Sequence, residues 1–332
     1  MQILIVTPAP RGSTKGNRIT AQRWAAHLTE LGHDVRIADA NQPATSIAGD
    51  NVDCLICLHA TRSSEVIRQF SAGFPGCPIV LCLTGTDLHL DLPGSRGDQA
   101  QRNARDSITH SSRLVLLEPE GAAQLPSEAR SKVRTILQSA TRVEPLANQT
   151  PPATNNVFQV CVLGHLRDVK DPFLTAIASR ELSESSSVRI VHVGEALNDG
   201  MKRLAQAEMQ ANTRYKWLGA LPHEQAQRLL AESQLMVLSS KVEGAPSAIS
   251  EAIVNGVPIL ATRIPATIGL LGSDYPGLFP VGDSNALCKL IQRAESDRKY
   301  LADLTQAIDA LAPRFTPQAE KAALQRLIES IS

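Results

Sequence analysis

Val237-Leu238-Ser239-Ser240-Lys241-Val242-Glu243-Gly244-Ala245-Pro246-Ser247-Ala248-Ile249-Ser250-Glu251 reads as a strand that runs out into a loop and re-enters a helix. The apolar run at 235–238 stops at two serines, and Pro246 suits a first helical turn. The helix continues to Asn255, and a second apolar run follows at 258–261. Strand, loop, helix, strand is the repeating unit of a parallel sheet covered by helices.

The alternation extends outward from this stretch. Strands are expected at 158–163, 189–193 and 215–218 in the second half, and at 2–7, 35–38, 52–58, 79–84 and 113–117 in the first. A helix is expected over 18–31, where Ile19, Trp24, Ala25 and Leu28 recur at three- and four-residue steps and Gly32 ends the run. Between 144 and 156 the composition turns to Pro, Thr, Asn and Ala, which suits a linker. A chain of 332 residues also exceeds the size, about 250–300 residues, at which single cores stop growing. The expected architecture is α/β, with two doubly wound, Rossmann-like domains at 1–145 and 157–312 facing across a cleft. The remainder, 313–332, carries an amphipathic helix with Ala319, Ala322, Ala323, Leu327 and Ile331 along one face and Glu320, Lys321, Arg326 and Glu329 off it. That helix is expected to pack back on the first domain.

Composition narrows the function. Lys plus Arg and Asp plus Glu both number 33, so no overall field draws the chain to nucleic acid or an anionic membrane. The apolar runs are too short to span a bilayer, and Met1 leads straight into a strand without a secretory leader, which points to the cytoplasm. Four of the six cysteines (Cys54, Cys57, Cys82, Cys161) fall in expected strands, with Cys77 and Cys288 outside them, and they read as reduced core thiols. Cys54 and Cys57 have C-x-x-C spacing, but residues three apart in a strand point to opposite faces and do not grip one metal ion. No metal or cofactor is expected, and the oligomeric state is left open.

Ligands of doubly wound sheets sit beyond the carboxyl ends of the strands, so the chemistry is sought in strand-end loops. Free amides near Ser247 and Ala248, at the positive end of a helix, attract a phosphate. Glu251 lies one turn further on, where its carboxylate reaches both hydroxyls of a ribose beside that phosphate, and Glu243 in the loop reaches sugar hydroxyls. Gly164-His165-Leu166-Arg167-Asp168-Val169-Lys170 follows the first strand of the second domain and offers Arg167 and Lys170 to an anion. In the first domain the loop around Gly12, Ser13, Lys15, Gly16, Asn17 and Arg18 joins strand to helix with glycines and cations, a cradle for an anionic group. It matches neither G-x-G-x-x-G nor a Walker motif.

The E-x7-E pair Glu243 and Glu251, with Gly244, Ala245 and the helix to Asn255, resembles the donor-site signature of the family 4 glycosyltransferases. Gly219-Ala220-Leu221-Pro222-His223-Glu224 before it and Gly277-Leu278-Phe279-Pro280-Val281-Gly282-Asp283 after it extend the resemblance in the same order. The resemblance implies the GT-B fold, a nucleotide-diphosphate sugar as co-substrate, and a diphosphate held at Gly164, Ser247 and Ala248. It implies catalytic roles for Lys170, Arg167, Glu243 and His59, the last ending a strand near the donor sugar. The family has an Arg directly after the glycine where this chain has His165, with Arg167 two positions later. Thr84-Gly85-Thr86-Asp87 looks like the family's H-G-x-D strand end with Thr84 in place of His, so Asp87 is expected to shape the loop.

The opening Thr7-Pro8-Ala9-Pro10 with Gly12-Ser13 and Gly16-Asn17-Arg18, the Leu83–Leu88 region and Gly164-His165-Leu166-Arg167 look more closely like the selenosugar synthases of selenoneine biosynthesis. That likeness implies UDP-N-acetylglucosamine or UDP-glucose as donor, selenophosphate as acceptor and a 1-selenosugar as product. The basic first loop then holds a small dianion. Rival readings are a conventional family 4 enzyme with a hydroxyl or thiol acceptor, a sugar-nucleotide epimerase, for which no paired acid and base stand in the first domain, and a non-catalytic binding subunit.

Overall fold

The structure, a computed structural model, describes residues 1–13, 16–42, 51–143 and 157–331. The expected linker at 144–156 and Lys15 lie outside the described residues. The chain divides into two compact units: Met1–Ser139 with Glu243–Ser247 and Pro317–Ser332, and Ala140–Val242 with Ala248–Thr316.

In the first unit β1 (Gln2–Thr7), α1 (Gly16–Glu30), β2 (Asp34–Asp39), β3 (Cys54–Leu58), α2 (Ser64–Gly73), β4 (Ile79–Leu83), α3 (Asp98–His110), β5 (Arg113–Leu116) and β6 (Val133–Thr135) follow one another. The sheet is parallel in the order β2-β1-β3-β4-β5-β6, so the direction of winding reverses between β1 and β3. Strands buried on both faces read as continuous apolar runs, as β3 does with all five residues buried. The alternation of side chains sorts them into two layers. Leu55 and Cys57 pack with Phe70 of α2 and Ile108 of α3, whereas Cys54, Ile56 and Leu58 pack with Trp24 and Leu28 of α1. The two thiols of the C-x-x-C spacing thus lie on opposite faces of the sheet.

The second unit contains β7 (Phe158–Leu163), α4 (Leu174–Arg180), β8 (Val188–Val193), α5 (Asp199–Ala211), β9 (Tyr215–Trp217), α6 (His223–Ala231), β10 (Leu235–Leu238), α7 (Ser247–Asn255, its Ser247 counted in the first unit), β11 (Ile259–Thr262), α8 (Pro265–Leu271), β12 (Leu278–Phe279), α9 (Ser284–Ser296) and α10 (Arg298–Asp309). Its parallel sheet has the order β12-β11-β10-β7-β8-β9, and the winding reverses between β7 and β10. No described helix is long and apolar enough to cross a membrane.

The last helix, α11 (Pro317–Glu329), belongs to the first unit and completes the layer of α1 through Leu324, Leu327 and Ile328. Here the apolar pattern misled. Glu320, expected off the packing face, is 2% exposed. Its carboxylate accepts from Trp24 Nε1 at 2.8 Å, Arg23 Nε at 2.7 Å, and the Ser139 amide and hydroxyl. Burial would raise this carboxyl, but the neighbouring His27, the Arg23 guanidinium and Ser139 outweigh it and hold it down at about 2. Ile19, grouped above with the apolar stripe of α1, is 40% exposed, while Ala21, Trp24 and Leu28 are fully buried. The buried face of α1 begins with the polar side chains of Arg18 and Thr20, and the apolar part of it begins at Ala21. The short strands β6 and β12 were not expected; three and two residues long, they give no apolar run to read.

Candidate active site

Winding reverses at one point in each sheet, and each point gathers loops from adjacent strand ends, where open α/β sheets bind ligands. In the second unit these are the loops after β7 and β10. Gly164 directly follows β7, and a short turn over Asp168–Lys170 ends at Asp171, which takes a left-handed conformation (φ 45°). Ser239, directly after β10, donates its hydroxyl to the carbonyls of Lys170 (3.1 Å) and Asp171 (2.9 Å), and the Lys241 amide donates to Val169 (2.8 Å). Gly164, Lys170, His192, Ser239 and Ser240 line a cavity of about 10 Å³, room for about one water. Arg167 and Lys170 are half-buried on this loop, and Arg167 Nε is buried without a hydrogen-bond partner among the described residues. His165, standing where the family pattern has Arg, accepts the Glu195 amide at Nδ1 (3.1 Å). Ala248 opens the second-unit part of α7, and Glu251 is half-buried one turn after Ser247.

In the first unit the same logic applies at β1 and β3. Gly12 has φ 82° in the turn that the Ser13 amide closes on the Pro10 carbonyl at 3.1 Å. Gly16 and Asn17 begin α1, with Gly16 exposed and Asn17 half-buried. Arg18 is buried, its Nη1 lies 3.5 Å from Asp39 Oδ1, and among the described residues its Nε has no hydrogen-bond partner. His59 follows β3 with φ 73° and is 3% exposed. Its Nε2 pairs with Thr86 Oγ1 at 3.1 Å, and its Nδ1 accepts the Arg62 amide at 3.4 Å. Asp87 is fully buried and accepts the amides of Ala60 (2.8 Å), Thr84 (3.0 Å) and Gly85 (2.8 Å), tying the ends of β3 and β4 together. It organises the turn, as its place in the sequence led us to expect.

The segment Glu243–Ser247 packs within the first unit. A Cβ on Gly244 would stand 2.2 Å from the Thr84 carbonyl oxygen, and one on Gly85 would stand 2.7 Å from the Gly244 nitrogen. Two glycines let the two backbones touch, so Gly244 is fixed by the Thr84-Gly85 turn. Ala245 gives its carbonyl to Gln138 Nε2 at 2.9 Å, and Glu243 is buried. Gln138 lies in irregular chain with no motif to announce it.

Cysteines contribute nothing reactive here. All six are unpaired, and burial pushes the thiols of Cys54 and Cys161 up to about 12.

Two parallel, doubly wound sheets with loaded strand-end loops define the class: this is the architecture of the GT-B fold. HepE of Anabaena, crystallised with UDP, superimposes with a TM-score of 0.79 at 17% identity, covering 99% of this chain and 100% of its own. Residues 146–310, just under half of the chain, match the family described as glycosyl transferases group 1. Among curated proteins, glycosyltransferase 1 domain-containing protein 1 of Xenopus tropicalis is 21% identical over 286 residues, 79% of each chain. The UDP-Gal:alpha-D-GlcNAc-diphosphoundecaprenol alpha-1,3-galactosyltransferase of Escherichia coli is 28% identical over 149 residues, 43% of this chain and 38% of its own.

Proposed function

We propose that this chain is a glycosyltransferase that moves a sugar from UDP-N-acetylglucosamine or UDP-glucose to selenophosphate, forming a 1-selenosugar. One observation carries the donor assignment. The family match over 146–310 takes in the reversal point between β7 and β10, with Gly164, Arg167 and Lys170 on one strand-end loop and the start of α7 following the other. The UDP in the HepE structure supports uridine as the base.

In this reading the amides at Ser247 and Ala248 meet the diphosphate, and Glu251 takes the ribose hydroxyls. Glu243, with Gly244 and Ala245 shaping its loop, addresses the donor sugar, and the family resemblance assigns His59 to the same sugar. Selenium attacks the anomeric carbon as the bond from that carbon to the UDP oxygen breaks, and water then cleaves the selenium–phosphorus bond, releasing inorganic phosphate and leaving the 1-selenosugar. Lys170, Arg167 and the helix start take up the charge that gathers on the leaving diphosphate. A selenium anion needs no general base.

The acceptor assignment rests on the resemblance to the selenosugar synthases and on the basic loop of Gly12, Ser13, Lys15, Gly16, Asn17 and Arg18. Arg18, buried with an uncommitted Nε, suits a small dianion better than a sugar or lipid. We place the reaction in the cytoplasm, in keeping with six unpaired thiols.

A hydroxyl acceptor is the second reading, favoured by the E. coli relative, whose name describes transfer to a lipid-linked sugar. Mass spectrometry of the purified protein with selenophosphate and each UDP-sugar separates the two. The expected products are UDP and a selenium-bearing sugar. Glu251→Ala, which loses two charge-assisted hydrogen bonds, is expected to lower donor kcat/KM by at least about a hundredfold. UDP released only with hydroxyl or thiol acceptors would overturn the selenophosphate assignment.

A further inference from the structure

His192 lies on the buried face of β8 with Val188 and Ile190, while Arg189 on the other face is exposed, and His192 is 1% exposed. Its Nε2 lies 3.0 Å from the carbonyl oxygen of Gly164, and its Nδ1 lies 3.0 Å from the hydroxyl of Tyr215. A carbonyl oxygen has no proton to give, so Nε2 carries a hydrogen and donates to it. At neutral pH the ring is uncharged, so Nδ1 accepts from the tyrosine hydroxyl and one tautomer is fixed. Burial, only partly opposed by the Gly164 bond, keeps the ring uncharged by lowering its pKa to about 4.

The carbonyl it holds belongs to the peptide at which the chain leaves the sheet. That peptide is pinned on two further sides. The Gly164 amide donates to the Val193 carbonyl at 2.9 Å, and a Cβ on Gly194 would fall 1.9 Å from the Gly164 oxygen. Gly194 is in turn fixed by Trp217, whose Nε1 donates to its carbonyl at 2.8 Å. Tyr215 and Trp217 stand two apart on β9 and so share a face. From that face one reaches the Gly164 carbonyl through His192 and the other reaches the neighbouring backbone directly. Beyond the pinned peptide the loop stays tied: the Leu166 amide donates to Glu195 at 2.9 Å, and Ser239 holds Lys170 and Asp171 at the far end.

We infer that His192, oriented by Tyr215, is a positioning residue for the donor site: by holding the Gly164 carbonyl it sets where the loop carrying Arg167 and Lys170 stands. The inference rests on the proposed donor role of that loop. A cation placed by a loop acts on a leaving diphosphate only when its position is fixed before the reaction, and small misplacements are expensive in rate.

Two substitutions separate the two bonds of the imidazole. His192→Gln puts an amide N–H near the place of Nε2 and keeps the Gly164 bond. His192→Asn keeps a partner for Tyr215 and loses the Gly164 bond. Calorimetric titration of the full chain with UDP, beside a thermal melt, reads the result. His192→Asn is expected to weaken UDP binding about tenfold, raise the donor KM and lower kcat, while His192→Gln stays within about twofold of the parent. Both are expected to lower the melting temperature, so a purely structural role would move the melts without splitting the affinities. Tyr215→Phe, which frees the ring to turn, is expected to fall between them and serves if the asparagine variant does not fold. Lys170→Ala is the control for the donor site. If it weakens UDP binding while the two His192 variants bind alike, the positioning role is overturned and the donor site stands. If Lys170→Ala leaves UDP binding unchanged, the donor-site reading fails and takes this inference with it.

Discussion

Gly244 shows how much of a binding loop can hang on the absence of one methyl group. With the Thr84 carbonyl oxygen 2.2 Å from where a Cβ would stand, an alanine has to displace backbone rather than a flexible side chain. The displaced backbone sits between Glu243 and Ala245, and the Ala245 carbonyl is held by Gln138. Gly244→Ala is thus expected to cost about a hundredfold in transfer rate, because reacting groups tolerate little more than a tenth of a nanometre of misplacement. The thermal melt is expected to fall only by several degrees. Initial rates of UDP release with the melt alongside check this, and a variant with parental rates would show that the loop has slack.

At the scale of elements, α1 and α11 are joined by a buried carboxylate as well as by apolar contact. Glu320 takes hydrogen bonds from Trp24 and Arg23 of α1 and from Ser139, and removing one side of a buried pair leaves the other uncompensated. Glu320→Ala is expected to destabilise the chain by about 3–5 kcal/mol in urea unfolding. A carboxyl held at about 2 when folded contributes stability above its unfolded value near 4.5 and loses it as the pH falls toward 2. Glu320→Gln is therefore expected to flatten the acid limb of the stability profile. This residue also marks what the sequence hides. The strands were legible because residues such as Leu55 and Ile56 in β3 are apolar on both faces, and the loops at 164–170 and 243–251 because glycine, proline and charge follow such runs. Glu320 was not legible, because a charge on an amphipathic helix is read as solvated until Trp24 is seen to need an acceptor. His192 could have been noticed as a polar residue in register with Val188 and Ile190, but its partner Gly164 is 28 positions away. Gln138 reaches the Ala245 carbonyl with its side-chain amide from irregular chain, a contact no local pattern announces.

For the whole molecule, two buried groups in different units tilt stability in opposite directions with pH. Glu118, in the first unit, is 1% exposed, and burial raises its carboxyl to about 7 despite the amides of Glu120 and Gly121. Because the folded state holds that proton longer, this group makes the chain less stable as the pH climbs from about 4.5 to 7. His192, in the second unit, is held at about 4, so the unfolded chain binds the extra proton and stability rises with pH between about 4 and 6.5. The two slopes oppose each other across the overlapping window, and a chain that unfolds as one cooperative whole should show little net dependence there. Each variant then exposes the other group. Glu118→Gln, which keeps an oxygen for the Glu120 amide, is expected to gain roughly 1–2 kcal/mol on the parent between pH 5 and pH 7, solvent screening included. His192→Gln is expected to give up a similar amount over the same interval, because only the parent gains stability there as its imidazole loses the unfolded-state proton. Urea unfolding of the three proteins at both pH values tests this. If the units unfold separately, the parent should instead show two transitions that shift in opposite directions, the first unit weakening and the second strengthening as the pH rises, and each substitution should then flatten only its own.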